Sequence, residues 1–367
     1  MAVAETNRQW FPAAEPDYAV SPGETLRDRL EELGMTQAEL ATRTGLSTKH
    51  VNQILQGVAH ISPETAQRLD LATGVPARLW NRLEADYRAT AARIRQRRIL
   101  EEDVVWLREL PVSELVNREV LPEQPSDKVS RVQQLLAFFG VASPEAWRNL
   151  WLQPEAAFRQ SPAFAAKPGA VAAWLRLGEL AALEMACQPY QASQLRALLP
   201  RLRALTTEPP EVFEPAMRTM CAEVGVAVVF IQEIRGARVS GAMRWLSPTK
   251  ALVQLSLRYK TDDQLWFTFF HELAHVLLHG KKDVWIEDGS SDDPREEEAS
   301  RFAAELLIPR HHEDRLKSLT TLQAVRVFAR DIAVAPGVVV GRLQREGILR
   351  YGVGEQLKRR FELVDTT

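Results

Sequence analysis

The chain of 367 residues has little cysteine, almost no net charge and no long apolar run. Its two cysteines, Cys187 and Cys221, cannot build a disulfide framework, and neither has metal-binding neighbours in the sequence. A net charge of -2 creates no field that would draw the whole protein to nucleic acid or to a membrane. The longest apolar stretches, such as Val224 to Ile231, are far too short to cross a bilayer. We therefore expect a cytoplasmic protein with no membrane partner, in which any contact with nucleic acid is local.

The motif His271-Glu272-Leu273-Ala274-His275 lies within the apolar run from Gln264 to Gly280. On an α-helix, residues four apart lie one turn above one another, so both histidines point their imidazoles at a common point. Buried histidines need a partner for their polar atoms, and a metal ion supplies one. Glu272 is rotated by ~100° around the same helix, which places it beside the ion. The alternative is a surface helix that matches the pattern by chance, and the apolar surroundings argue against it.

A second predicted helix, Pro294 to Pro309, supplies a third ligand. Proline at its start, acids in its first turn and proline at its end are typical helix boundaries. Its apolar positions are three and four residues apart, and they share a face with Glu296 and Ser300. Glu297 and Glu298 lie further round, where acids are usually solvated. We predict Glu296 as the third ligand and Ser300 as a hydrogen-bond partner of a ligand histidine.

These two segments, Trp266 to His279 and Glu296 to Pro309, resemble the ImmA/IrrE family of zinc metallopeptidases. The resemblance extends from near Glu211 to Pro309. It implies that His271, His275 and Glu296 bind one zinc ion, with manganese as the alternative ion, and that Glu272 is the general base. Ser300 departs from the family pattern, which usually has Asn or Asp at this position.

Two further side chains are candidates for the same site. His279 lies one turn beyond His275, too far along the helix axis to join the ligands, so we interpret it as a contact of a ligand or as a structural residue. Tyr259 and His279 are also candidates for stabilising an oxyanion. Three strand-like runs precede the motif: Val226 to Ile231, Val239 to Trp245 and Ala251 to Ser256. By resemblance to zincins, the last is expected to be an edge strand that takes a substrate backbone by strand addition.

The segment from Ser21 to Tyr87 predicts short helices separated by turns. Ser21, Thr36 and Ser47 are typical helix caps, and Thr44-Gly45-Leu46 predicts a tight turn between two of the helices. Two short helices joined by such a turn make a helix-turn-helix, whose second helix enters the major groove of DNA. The residues predicted to contact DNA are Gln37, Ser47, Thr48, Lys49, Asn52 and Gln53.

This segment resembles the lambda-repressor-like (XRE) domains, and within them the HigA-type antitoxins. The residues that carry the likeness include Thr36-Gln37-x-x-Leu40-Ala41 and Val51-Asn52-x-Ile54-Leu55-x-Gly57. Between Ser21 and Tyr87 there are seven Lys or Arg against nine acids, a poor balance for DNA affinity. The arginines from Arg88 to Arg98 either repair that balance or form a solvated helix face. The alternative to DNA binding is a protein-interaction use of the same fold.

The predicted fold is mainly α, with a small α+β zincin-like catalytic domain and an N-terminal lambda-repressor-like helix-turn-helix bundle. The predicted divisions are a flexible tail at 1–20, a helix-turn-helix domain at 21–88, a helical middle region at 89–210, a metallopeptidase domain at 211–310 and a helical extension at 311–367. The tail lacks the basic start and apolar run of a signal peptide.

Together these features predict a zinc-dependent endopeptidase coupled to a DNA-binding domain. It would regulate transcription by cleaving a repressor or antitoxin in a stress, mobile-element or toxin-antitoxin response. Expected partners are an operator DNA, a protein substrate and a second copy bound through the helix-turn-helix domain. The alternative is a DNA-binding antitoxin or transcriptional repressor whose zinc domain is a sensor or scaffold. The presence of Glu272 argues against it, since a structural zinc site has no use for a base.

Overall fold

The computed structural model contains two compact units, Met1–Val104 and Val105–Thr367. The residues that the structure describes are 17–123, 127–152, 167–280, 285–287 and 293–363, without the side chains of residues 286 and 287. Most of the predicted tail, residues 1–16, lies outside them. Within the described part, no helix is both long enough and apolar enough to cross a membrane.

The described part of the first unit, from residue 17, is a bundle of five helices. They are α1 (Pro22–Glu32), α2 (Gln37–Thr44), α3 (Thr48–Leu55), α4 (Pro63–Thr73) and α5 (Ala77–Glu102). The predicted caps Ser21, Thr36 and Ser47 each accept a backbone N–H of the helix that follows. Gly45, with φ of 67°, ends α2 in the left-handed conformation, which a residue with a side chain adopts at a cost. This turn leaves only three residues between the end of α2 and the start of α3.

The core of the first unit holds α3 against the other helices. Leu26, Leu40, Val51, Leu69 and Trp80, from α1 to α5, are completely buried. Gly23 marks the closest approach, because a Cβ there would overlap the carbonyl oxygen of Ile54 on α3. The position of α3 is therefore fixed by its buried face.

Helix α5 runs unbroken from Ala77 to Glu102, so the predicted domain boundary at residue 88 falls inside a helix. Trp80, near the start of α5, belongs to the core of the first unit, whereas Arg95 and Arg98, near its end, are exposed. The first unit thus includes the arginine-rich part of the helix up to residue 104.

The second unit contains a four-stranded sheet and the remaining helices. The strands are β1 (Val226–Phe230), β2 (Gly241–Ser247), β3 (Lys250–Leu255) and β4 (Trp285–Glu287). The described helices are α6 (Val112–Asn117), α7 (Lys128–Phe139), α8 (Pro144–Trp151), α9 (Pro168–Leu183), α10 (Ala192–Ala204), α11 (Pro210–Ala222), α12 (Asp262–Leu278), α13 (Pro294–Leu307), α14 (Glu313–Lys317), α15 (Leu322–Asp331) and α16 (Pro336–Arg345). The predicted fold class is confirmed.

The strands lie in the order β1-β3-β2-β4. Strand β3 pairs in parallel with β1 and antiparallel with β2, so it has a neighbour on both sides. The prediction that Ala251 to Ser256 forms an edge strand is therefore wrong. The run Ala251–Leu255 is buried at every position, as expected of a central strand covered on both faces. The edges of the described sheet are β1 and β4.

Both faces of the sheet are covered by helices. On one face, Val226 and Val228 of β1 belong to the same core as Trp266 and Phe269 of α12. On the other face, Ala227 of β1 and Leu252 of β3 pack with Ala182 of α9. Gln254 also reaches this side, where its Nε2 donates to the carbonyl oxygen of Trp174 at 2.7 Å. Helix α9, from the predicted middle region, is thus a layer of the same unit as the sheet.

The start of α12 is held by charged residues from the end of the described chain. The Lys358 Nζ atom lies 3.0 Å from Oδ2 of Asp263, and the Arg359 Nε atom lies 3.4 Å from Oδ2 of Asp262. Both acids are buried. On α16, Gly337 leaves the space that the Asp262 carboxylate fills. These contacts give a structural role to the basic residues Lys358 and Arg359.

Candidate metal centre and helix-turn-helix surface

Helix α12 carries the predicted motif on its buried side. His271, Glu272 and His275 have exposed fractions of 1%, 0% and 0%. The Nε2 atoms of the two histidines are 3.0 Å apart, as the spacing of four residues on a helix predicts. Their imidazoles therefore converge at one point inside the protein.

Helix α13 brings Glu296 to this point. Asp293 caps the helix by accepting the N–H of Arg295, and Pro294 occupies its first turn. Glu296 Oε2 is 2.9 Å from Nε2 of His271, and its Oε1 is 3.4 Å from Nε2 of His275. The ligand atoms of the three residues all lie within 4.8 Å of one another, which makes them a candidate metal site.

The protonation states of this cluster favour metal binding. Burial disfavours ionisation of Glu296, but the hydrogen bonds from His271 and His275 outweigh it and lower the pKa of the carboxyl to about 2. Burial lowers the pKa of His275 to about 4. At neutral pH the cluster thus offers an ionised carboxylate and a neutral imidazole, the forms in which these side chains bind metals.

Glu272 is positioned by close contact with strand β2. A Cβ atom on Gly241 would lie 2.8 Å from Oε1 of Glu272 and 2.5 Å from Cγ2 of Thr268. Only glycine leaves room for these two side chains at the start of the strand. Sequence reasoning missed Gly241, although an isolated glycine in a strand often marks a close approach.

The histidines also make contacts through their second ring nitrogens. Ser300 Oγ lies 3.3 Å from Nδ1 of His271, the contact predicted for it. His279 Nδ1 lies 2.8 Å from Nδ1 of His275, and its Nε2 lies 3.3 Å from Oε2 of Glu298. Glu298, predicted to be solvated, is thus half-exposed and bonded to His279.

Trp285 of β4 is a site residue that sequence reasoning missed. Its ring stacks on that of His275, with the ring centres 4.2 Å apart and the planes within 14° of parallel. The guanidinium of Arg295 also contacts the indole, at 4.6 Å from the ring centre. A three-residue strand shows no periodic pattern, so the sequence held no signal for this residue.

Tyr259 takes part in none of the contacts described above for the three candidate ligands, and its surroundings are those of a separate small cavity. Its side chain is half-exposed, with the Arg258 guanidinium 5.0 Å from the ring centre. It lines a small cavity together with Gln264 and Thr268, on the part of α12 that precedes the motif. A role in stabilising an oxyanion remains a prediction.

The predicted DNA contacts cluster on the outer face of α2 and α3. Ser47, Thr48, Lys49 and Asn52 are exposed, and Gln53 is partly exposed. Gln37, at the start of α2, is exposed and accepts a long hydrogen bond of 3.4 Å from Nδ2 of Asn52. Five of the six residues thus belong to α3 or its N-cap, and the sixth, Gln37, contacts Asn52 of that helix.

Comparisons with known proteins define the class of the chain, a helix-turn-helix domain joined to a protease-like domain. Residues 26–80 match the family described as helix-turn-helix, and residues 229–336 match the IrrE N-terminal-like domain family. Residues 26–80 therefore form an XRE-type helix-turn-helix domain, and residues 229–336 form an IrrE-like domain, as the two resemblances predicted.

Two similar solved structures each cover 20% of the chain. One is the Pseudomonas aeruginosa antitoxin HigA with the higBA promoter, 33% identical over 20% of this chain and 83% of that chain, with a TM-score of 0.20. The other is a Pseudomonas aeruginosa protein in complex with its operator DNA of 18 base pairs, 33% identical over 20% of this chain and 82% of that chain, also with a TM-score of 0.20. A search of the curated proteins found no match.

Proposed function

We propose that the chain is a zinc-dependent endopeptidase coupled to a DNA-binding domain. It regulates transcription by cleaving a repressor or antitoxin in a stress, mobile-element or toxin-antitoxin response. The observation that carries the proposal is the convergence of His271, His275 and Glu296 within 4.8 Å, with Glu272 on the same helix as the histidines. The match to the IrrE-like family supports the same class of chemistry.

The donor set favours zinc over manganese. Two imidazole nitrogens and one carboxylate form the ligand set of catalytic zinc sites, which keep a fourth position open. Manganese prefers a shell of carboxylates, carbonyls and water.

A zinc ion held by His271, His275 and Glu296 would polarise the scissile carbonyl as a Lewis acid and would lower the pKa of a water molecule. Glu272 accepts the proton of the attacking water and delivers it to the leaving amine. The close contact with Gly241 limits the positions that the Glu272 carboxylate can take. The apolar side chains around α12 exclude bulk water from this transfer.

The substitution Glu272→Gln tests the enzymatic proposal. We expect the variant to bind zinc as tightly as the wild type, because Glu272 is not a ligand, and to lose cleavage of a repressor or antitoxin encoded next to the gene. Cleavage is followed by electrophoresis and mass spectrometry. Zinc affinity is measured by competition with a chelator. Glu297→Gln, an exposed acid on α13, is the matched control and should cleave normally.

If the Glu272→Gln protein binds zinc and still cleaves at the wild-type rate, the base has been misassigned. If the wild-type protein binds zinc but cleaves no such substrate, the sensor or scaffold function replaces the enzymatic one.

For the first unit we propose that α3 reads an operator in the major groove. Its exposed amide and hydroxyl side chains can bond base edges, and Lys49 can contact a phosphate. The double variant Lys49→Ala, Asn52→Ala should abolish the electrophoretic mobility shift that the protein causes in DNA from upstream of its gene. Gln67→Ala, an exposed amide on α4, is the control. An unchanged shift would favour the protein-interaction use. Sedimentation of the full chain tests the proposed homodimer.

A further inference from the structure

The two ring nitrogens of His275 face different surroundings. Nε2 points into the candidate metal site, 3.0 Å from Nε2 of His271 and 3.4 Å from Oε1 of Glu296. Nδ1 points away from it, 2.8 Å from Nδ1 of His279. His279 thus lies behind the ring of His275 as seen from the metal site, and it cannot join the ligands.

His279 is itself bonded at both ring nitrogens. Helix α12 ends at Leu278, and His279 takes an extended conformation with φ of -110° and ψ of 169°. Its side chain is nevertheless only 4% exposed. Its Nε2 lies 3.3 Å from Oε2 of Glu298 on α13. A continuous chain of hydrogen bonds therefore runs from His275 at the metal site through His279 to the carboxylate of Glu298.

The direction of the hydrogens along this chain follows from the chemistry of its ends. If Nε2 of His275 gives its lone pair to a metal, the hydrogen of the neutral ring is on Nδ1, which donates to Nδ1 of His279. The hydrogen of neutral His279 is then on Nε2, which donates to Glu298. An ionised carboxylate only accepts hydrogen bonds, so Glu298 sets the direction of both.

We propose that Glu298 and His279 are positioning residues that hold His275 in its metal-binding tautomer. The contact of His271 differs in this respect. Its Nδ1 lies 3.3 Å from the hydroxyl of Ser300, which can donate or accept and so permits either tautomer. The hydrogen bonds that end at Glu298 thus give His275 a fixed tautomer.

Trp285 holds the two rings of the chain in place. It stacks on His275 and contacts His279, with ring centres 4.2 Å and 5.0 Å apart. The indole is buried, as is His275. Rings held in this way lose little further freedom when the metal binds, which favours affinity.

The inference rests on the proposed zinc site, and its test measures zinc affinity rather than activity. Full-length His279→Ala and Glu298→Ala proteins are titrated with zinc against a chromophoric chelator. We expect a loss of affinity of about 10- to 100-fold for His279→Ala, the range for partners of ligand histidines. Glu298→Ala should lose less because its side chain is 49% exposed. Glu298→Gln, which keeps an acceptor oxygen, should recover part of the affinity.

The neighbouring acid provides the control. Glu297→Ala removes a charge one residue away on the same helix and should bind zinc as the wild type does. In the zinc-bound wild type, the ¹⁵N shifts of His275 should report a hydrogen on Nδ1, and Glu298→Ala should weaken that signature.

Two results would overturn the inference, and they differ from each other. If the wild type binds zinc tightly and both alanine variants stay within about twofold of it, Glu298 and His279 do not position His275, and the zinc site stands. If the wild type binds no zinc, the proposed function fails as well. The melting temperature of each zinc-free variant shows whether it folds, and Glu298 variants retain the test if His279→Ala does not.

Discussion

The substitution Gly241→Ala should separate the positioning of Glu272 from metal binding. The added methyl would lie 2.5 Å from Cγ2 of Thr268 and 2.8 Å from Oε1 of Glu272, against an optimal separation of roughly 3.5–4.0 Å between carbon atoms. Both neighbours are buried, so neither can turn into solvent. The strand cannot easily move either, since Gly241 pairs with Leu255 on one side and Glu287 on the other.

The magnitude follows from the cost of overpacking a core. An extra carbon in a filled site destabilises by about 1–3 kcal/mol. For a unit of this size, each 1 kcal/mol lowers the melting temperature by about 2–4 °C, so the expected fall is about 2–12 °C. Displacement of the Glu272 carboxylate by about 1 Å should lower the cleavage rate by about a hundredfold. Zinc affinity should stay near the wild-type value, because the added methyl clashes with no ligand.

The double variant Gly241→Ala, Thr268→Ser checks the cause. Serine lacks Cγ2, the atom that the new methyl would meet first. Melting temperature should therefore partly recover, while cleavage stays slow because the contact with Glu272 remains. Thr268→Ser alone should cost about 1 kcal/mol or less. If Gly241→Ala melts and cleaves as the wild type does, the close approach of β2 to Glu272 is not what positions the base.

Two further predictions concern metal and pH. Removing zinc with a chelator should lower the melting temperature of the second unit. If free zinc starts at a thousand times its dissociation constant, the loss of stability is about 4 kcal/mol. A Glu296→Ala protein should respond little to the chelator, and a response equal to that of the wild type would argue against this site. Burial raises the pKa of Asp262 from 3.8 to about 6, so the folded state holds this proton more tightly than the unfolded state. The stability that this group contributes is present below pH 4 and is lost as the pH rises through 6, by up to about 3 kcal/mol. The melting temperature of Asp262→Asn should therefore rise relative to that of the wild type between pH 4 and 7. Melting temperatures of the two proteins that change in parallel with pH would contradict this.

Geometry within one helix could be predicted from the sequence, because spacing alone determines it. His271 and His275 converge as a spacing of four requires, and the apolar positions of the next helix placed Glu296 on the face that meets them. The helix caps of the first unit were predictable for the same reason, since Thr36 and Ser47 bond within three residues of themselves.

Contacts between distant segments could not be predicted in this way. Strand β1 pairs with β3, although β2 lies between them in the sequence. Because this pairing could not be predicted from the sequence, β3 was wrongly predicted to be an edge strand. Glu298 was interpreted as solvated because nothing in the sequence indicated its bond to His279, which lies just beyond the end of α12. Trp285 stacks on His275 only through the pairing of β4 with β2.

The layer that α9 forms behind the sheet has a practical consequence for isolating the IrrE-like domain. A fragment starting at residue 211 would uncover Leu252 and Ala227 and would leave Gln254 without the carbonyl of Trp174. Such bare aliphatic surface promotes self-association in water. A fragment that begins at residue 105, where the second unit begins, keeps this layer.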